Sequence, residues 1–297
     1  MRAILSAFFL FCIISGTAAP APAGKVIARG GSASILIETG FLDYLEACFE
    51  TDTGKAVDWV AADAAHLVQL GKACEVDLLL IDVPGEEMQF MEDGYGTARR
   101  LVMFSDYVLI GPPRDPAGLA GHNILTAFSA IAAREVPFVS SEGDSAVYQK
   151  ELFLWSKAGV EIPAEQSWYY RSGKSKVDAL EDAVQRGAYT IADRGAFLIH
   201  RERSGGSSPL TVLVEGERVL RNQYSVIVVD PEKCRFSKSR SSKSENGNGS
   251  GSKNGDVLAF IEWVLSERGQ KAIAGFTLMG TQLFTPNSGE EFCRECR

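Results

Sequence analysis

The sequence predicts an α/β protein with mainly parallel sheets. Short apolar runs of strand length alternate with amphipathic helical stretches along most of the chain, and several of those helices end at glycine. The nearly continuous apolar run Val76–Ile81 also has the character of a strand buried on both faces. Val26–Ala28 reads as a short strand, followed by Gly30-Gly31-Ser32-Ala33-Ser34 as a loop. Phe41, Leu42, Leu45, Cys48 and Phe49 recur at helical spacing between a Thr39-Gly40 start and a Thr53-Gly54 stop. Ala56–Val60 is the next strand and Ala64–Gly71 a short helix. Beyond Val76–Ile81, Leu101–Phe104 and Tyr107–Ile110 are two further strands. Ser145–Gly159 and Val177–Gly187 read as helices, with Phe138–Val139 and Ala188–Ile191 as the strands alternating with them. Leu210–Val214 and Tyr224–Val229 are strands. Val257, Leu258, Ile261, Val264 and Leu265 form the stripe of a last amphipathic helix.

With 297 residues, 45% of them hydrophobic, the chain can bury a real core, and at about 150 residues per domain it favours two lobes. The net charge of −8 argues against a surface for nucleic acid or anionic lipid. Residues 1–23 carry one Arg, an apolar run from Ala3 to Ile14, then small residues and prolines, the pattern of a secretory signal peptide. The run is too short to span a bilayer, and Cys12 lies inside it without a lipid-attachment context.

Secretion makes the remaining cysteines, Cys48, Cys74, Cys234, Cys293 and Cys296, disulfide candidates with one left over. Cys48 with Cys74 is the expected pair. Cys293-Arg-Glu-Cys296 reads as a staple rather than a zinc site, because no second ligand pair accompanies it. Ser237–Gly255 has no apolar residue and reads as a flexible insertion, with the sequon Asn248-Gly249-Ser250 inside it.

Several ordered motifs carry a resemblance. Thr39-Gly40-Phe41-Leu42-Asp43 precedes Asp77-Leu78-Leu79 and Gly94-Tyr95-Gly96. Ser105-Asp106-Tyr107-Val108-Leu109-Ile110-Gly111-Pro112 and Phe138-Val139-Ser140 follow. Trp168-Tyr169, Ala188-Tyr189-Thr190 with Asp193-Arg194, Asn222 with Tyr224, and Leu283-Phe284 complete the series. In that order and spacing the chain resembles the tungstate-binding extracytoplasmic component of ABC transporters, over nearly all of the mature sequence. The resemblance implies a type II periplasmic-binding-protein fold: two α/β lobes, two crossover strands and a ligand cleft between. It places the crossovers near Tyr107–Ile110 and Tyr224–Val229. Residues 24–110 with 223–297 then form lobe I, and 111–222 lobe II.

A cleft of that kind holds an anion with backbone N–H groups, helix N-termini and hydroxyls. The resemblance implies four ligand loops, and this chain departs in each. A run of threonines ending in serine becomes Ser32, Ala33, Ser34 and Ile35. Ser-Arg-Gly-Asp becomes Ser140, Ser141, Glu142 and Gly143, which removes the arginine. Gly-Thr-Gly becomes Asp63-Ala64-Ala65, and a Gly-rich loop becomes Gly173-Lys174-Ser175-Lys176. Losing one charged hydrogen bond costs about 1.5–3 kcal/mol, tenfold or more in affinity. The candidate ligand residues are Ser32, Ser34, Ser140, Ser141, Ser145 and Lys174. Each has a structural reading beside it. Ser32 and Ser34 also suit a turn next to glycines, and Ser140 and Ser145 a helix cap, for which Asp144 competes. Lys174 and Lys176 either restore charge in the cleft or form a solvated face. Asp193 and Arg194 either touch ligand or form an ion pair.

The leading expectation is a secreted, monomeric solute-binding protein for a small oxyanion such as tungstate or molybdate, with altered specificity, no cofactor, no metal and no reaction. An ABC partner stays open. The alternative is a binding-protein scaffold that has lost its ligand and acts as an extracellular interaction protein. An enzyme is not expected: GxSxG, HExxH and P-loop motifs are absent, and His66, His122 and His200 stand in unrelated contexts. Asp63, Asp82, Glu142 and Asp144 are the carboxylates that would revive catalysis.

Overall fold

The computed structural model describes residues 24–141, 143, 145–163, 166–172, 176–206, 208–234 and 254–290. The expected signal segment 1–23, Glu142, Asp144, Lys174, the sequon at Asn248, and Cys293 with Cys296 lie outside the described residues, as does the expected insertion up to residue 253.

β1 runs Lys25–Ala33, well past the expected end at Ala28. It continues because Gly30, Gly31 and Ser32 pair on both sides, with Trp59–Ala61 of β2 (Lys55–Ala62) and with Leu78–Leu80 of β3 (Leu78–Ile81). Gly30 is required there: a Cβ would stand 2.4 Å from the Trp59 ring. α1 (Ser34–Glu38) and α2 (Phe41–Thr53) follow, with Gly40 and Gly54 in the left-handed region at the ends of α2. α3 (Ala64–Lys72) links β2 to β3, and α4 (Pro84–Glu92) starts with proline at its first turn.

β4 is one strand of 16 residues, Gly96–Gly111, where the sequence suggested two. Ser105 and Asp106 interrupt the apolar pattern, yet the strand passes through them because both side chains find partners. The Ser105 hydroxyl donates to Asp193 at 3.1 Å, and Asp106 accepts from Arg194 at 2.5 and 2.6 Å. Residues 96–106 pair antiparallel with β9 (Arg221–Val229). Residues 107–111 pair with β7 (Thr190–Asp193) and β8 (Thr211–Val214). α5 (Ile124–Arg134), β5 (Phe138–Ser140), α6 (Ala146–Lys157), β6 (Tyr169–Arg171), α7 (Lys176–Arg186) and α8 (Arg194–Arg203) lie between the two long strands. α9 (Asn254–Leu265) and α10 (Glu267–Gly275) follow β9, so Asn254 and Gly255 belong to a helix and not to the insertion. Short β10 (Thr277–Leu278), β11 (Thr281–Gln282) and β12 (Thr285–Pro286) end the described chain.

The main sheet has the order β12-β4-β9-β3-β1-β2. It is parallel across β2-β1-β3 and antiparallel at β9, β4 and β12, so the expected parallel character holds for one side only. β5 and β6 pair in parallel, and Phe138 also bridges Tyr189.

Strand alternation divides the core. Leu78, Leu80, Val226 and Val228 face the cluster holding α2, with Phe41, Leu45 and Phe49. Leu79, Ile81, Ile227 and Val229 face the opposite cluster, with Leu67 of α3 and Phe90 of α4. A third cluster gathers Phe128, Phe138, Trp155 and Tyr169 around β5.

This two-sidedness corrects the expected disulfide. Cys48 sits on α2, on one face of the sheet, while Cys74 follows α3 on the other. Cys74 pairs instead with Cys234, which packs on its own side, and Cys48 is a free thiol. Among the described residues, no helix is long and apolar enough to cross a membrane.

Candidate functional site

The first candidate loop is a strand end joined directly to a helix. Ser32 is buried in β1, its hydroxyl 3.4 Å from the Ala33 carbonyl. Ser34, half-buried, opens α1, and Ala33 at the N-cap offers no side-chain acceptor to the first-turn N–H groups. β1 lies inside the sheet between β2 and β3, so this junction projects from the carboxyl end of an interior strand, where open α/β sheets present ligands.

Ser140 ends β5 and Ser141 follows it, both buried. Ser145 is the N-cap of α6, its hydroxyl accepting from Tyr148 N at 3.2 Å. Asp63 likewise caps α3 by accepting from His66 N at 2.8 Å. Behind the β5 loop lies Glu151, fully buried on α6. Its Oε1 accepts from Tyr169 Oη at 2.6 Å and Trp155 Nε1 at 3.2 Å, while Oε2 has no hydrogen-bond partner. The Ser140 hydroxyl and Ser141 amide lie close enough to the carboxyl to favour its charged form, but burial outweighs them and raises its pKa to about 7. Ser141 also lines a cavity of only about 10 Å3 with Thr190 and Asp193, room for roughly one water. Among the described residues, no cation lines it. Arg171 is exposed at the end of β6, and Lys176 opens α7.

Asp193 closes β7 and caps α8 through Gly195 N at 2.7 Å. Its second oxygen accepts from Ser105 and, at 3.3 Å, from Asn222 Nδ2, which also donates to Asp82 at 2.9 Å. Both carboxylates raise the pKa of buried Tyr107 and Tyr224 further, beyond what desolvation alone does. Asp193 and Arg194 do not pair with each other: Arg194 reaches Asp106 and Glu215, which hold its charge firmly. A wider cavity of about 650 Å3 opens between the start of α4 and one face of α6, with Lys150 in its wall.

Thus the structure unites Ser140, Ser141 and Ser145 around the β5–α6 loop and Ser32 with Ser34 at the β1–α1 junction. α1 packs on α8, and Ile35, Val139, Leu180 and Ala196 belong to one apolar cluster. Sequence reasoning assigned no role to Glu151, Lys150 or Arg221. The available signal for Glu151 was its place four residues before Trp155 on a helix. Among the described residues, no group of three or more His, Cys, Asp or Glu side chains could hold a metal.

A mixed α/β sheet threaded by two long strands, with hydroxyl-bearing loops at strand ends, defines the class of type II periplasmic binding proteins. A family model described as the PBP superfamily domain matches residues 16–268. The tungstate-binding protein TupA of Peptoclostridium acidaminophilum is 35% identical over 97% of this chain and 98% of its own length. The chain therefore belongs to the periplasmic-binding-protein superfamily and, within it, to the family of the TupA proteins. A putative ABC transporter anion-binding protein of Haloferax volcanii is 35% identical over 86% of this chain and 70% of its own. Among solved structures, the tungstate-binding protein TupA from Desulfovibrio alaskensis G20 matches with a TM-score of 0.80 and 34% identity, over 89% of this chain and all of that one. These relatives are named as binding proteins, not as enzymes.

Proposed function

We propose that this protein is the extracytoplasmic binding component of an ABC-type uptake system and holds a small tetrahedral oxyanion, of the tungstate or molybdate kind, in a cleft between two lobes. The observation that carries the reading is 35% identity to a tungstate-binding protein along almost the whole of both chains. Residues 24–110 with 223–297 form lobe I and 111–222 lobe II, with β4 and β9 as the crossovers. Residues 1–23 direct export and are then removed. Ser32 and Ser34 supply donors from lobe I, and Ser140, Ser141 and Ser145 from lobe II, with Lys174 contributing charge.

Specificity has shifted. Serine at position 141 removes a charge-assisted donor, and no described cation lines the space beside it. Affinity for a bare dianion is therefore weaker than an arginine at this position would give. Isothermal titration of the mature protein with tungstate, molybdate, sulfate and phosphate tests the reading. Heat is expected with tungstate or molybdate, a weakened isotherm in Ser32→Ala and Ser140→Ala, and about tenfold tighter binding in Ser141→Arg. Absence of heat with every anion at millimolar concentration would overturn oxyanion binding. Unchanged affinity in a folded Ser141→Arg would overturn the account of specificity.

A further inference from the structure

Glu151 is fully buried on α6, behind the loop that carries Ser140 and Ser141. Its two oxygens are held unequally. Oε1 accepts from Tyr169 Oη at 2.6 Å and from Trp155 Nε1 at 3.2 Å, while Oε2 has no hydrogen-bond partner. The Ser140 hydroxyl and the Ser141 amide lie close enough to the carboxyl to favour its charged form. Of the titratable groups on the surrounding elements, Tyr169 of β6 faces it directly, with Tyr148 of α6 near that phenol. The others turn elsewhere. Lys150 reaches the carbonyls of Val219 and Arg221, and Arg134 of α5 that of Ala117. Asp193 of β7 is held by Gly195, Ser105 and Asn222.

A carboxylate and a carboxylic acid make opposite demands on a hydroxyl. The charged form only accepts, so it draws the Ser140 hydroxyl and the Ser141 amide back toward α6. Protonated at Oε2 from solvent, the side chain donates. Ser140 then accepts with its oxygen and aims its own hydrogen forward, and the Ser141 amide is released. The buried negative charge behind the loop, which opposes a dianion, vanishes in the same step. We propose that Glu151 is a positioning residue that couples oxyanion capture to the uptake of one proton, its neutral form turning the Ser140 and Ser141 donors toward the ligand and its carboxylate withdrawing them. The coupling rests on the oxyanion reading above and gives it a direction: capture is tighter in acid. Burial, which raises the carboxyl to about 7, sets the switch near neutrality.

The test is calorimetric titration of the mature protein with tungstate from pH 6.5 to 8.5, in two buffers of different ionisation enthalpy at each pH. Wild-type affinity is expected to fall by up to about tenfold for each pH step of one above about 7, with up to one proton taken up per anion bound. Glu151→Gln keeps an acceptor for Tyr169 and Trp155 and carries no charge. It is expected to flatten the profile, abolish proton uptake and bind more tightly than wild type at pH 8.5. Tyr169→Phe removes a phenol that favours the carboxylate and is expected to move the fall in affinity to higher pH, which keeps the test decisive if Glu151→Gln does not fold. A flat wild-type profile overturns the proposal, as does proton uptake that persists in Glu151→Gln or a Tyr169→Phe profile that does not move upward. In each of those cases tungstate heat at pH 6.5 keeps the oxyanion reading. No heat with tungstate at any pH overturns that reading, and the coupling with it.

Discussion

Glu151 illustrates how a single side chain couples the candidate site to stability. It lies behind Ser140 and Ser141, held by Tyr169 and Trp155, with its pKa raised by burial from 4.5 to about 7. Between those values the folded protein binds a proton that the unfolded chain has released. Unfolding free energy therefore falls as pH rises through this window, and the loss is complete above about 7. Buried Glu87 acts in the same sense despite its contact with Arg99, because desolvation outweighs the ion pair. Lys150 acts oppositely: burial lowers it to about 8, so stability lost to its desolvation is regained as pH rises from about 8 toward 10.5. Glu151→Gln keeps an acceptor for Tyr169 and Trp155 while removing the titration. Its unfolding free energy, from urea melts, is expected to fall less than that of wild type between pH 5 and 7.5, by an amount on the order of 3 kcal/mol. Parallel pH profiles would refute this. Ser145 was legible as a cap or a ligand from its place before a helix. Glu151 was not, because Tyr169, 18 residues on, becomes its neighbour only through the β5–β6 pairing.

At the scale of elements, local patterns located most strands and helices, and the errors have two causes, overlooked local patterns and partners distant in the chain. α4, α5, α8 and α10 went unassigned although Ile124, Ala127, Phe128 and Ile131 of α5 recur at helical spacing behind an Asn123 cap. β4 was divided at Ser105 and Asp106, since the sequence does not show that Asp193 and Arg194 would meet them. The disulfide was misassigned because pairing depends on which sheet face a helix covers. Cys74–Cys234 joins the turn after α3 to the segment after β9 across 160 residues. Closing so long a loop restricts the unfolded chain strongly, so Cys234→Ser is expected to lower the unfolding free energy by about 2–5 kcal/mol. Cys48→Ser, at a partly buried free thiol, is expected to change it much less. Denaturant midpoints measure both; equal effects would show that the bridge does not form.

Over the whole molecule, β4 pairs with β9 along its first part and with β7 and β8 along its last, and the Asp82, Ser105, Asp193 and Asn222 network gathers where it changes partners. If the proposed lobes close on an oxyanion, ligand at about a hundred times its dissociation constant is expected to stabilise the protein by about 2.7 kcal/mol. The radius of gyration in solution scattering is expected to shrink as well. Stabilisation without contraction would remove closure from the mechanism while leaving binding intact. The sequence by itself determined the fold family, because ordered motifs and apolar periodicity are properties of local chain and survive substitution elsewhere; it did not show that Ser32 lies inside β1 rather than in a loop. Only the tertiary structure decided that Cys74 meets Cys234, that Glu151 lies under the β5 loop, and that Lys150 reaches the carbonyls of Val219 and Arg221. Each of those contacts joins residues far apart in the chain, and strand register and sheet face, which no local pattern encodes, set whether they meet.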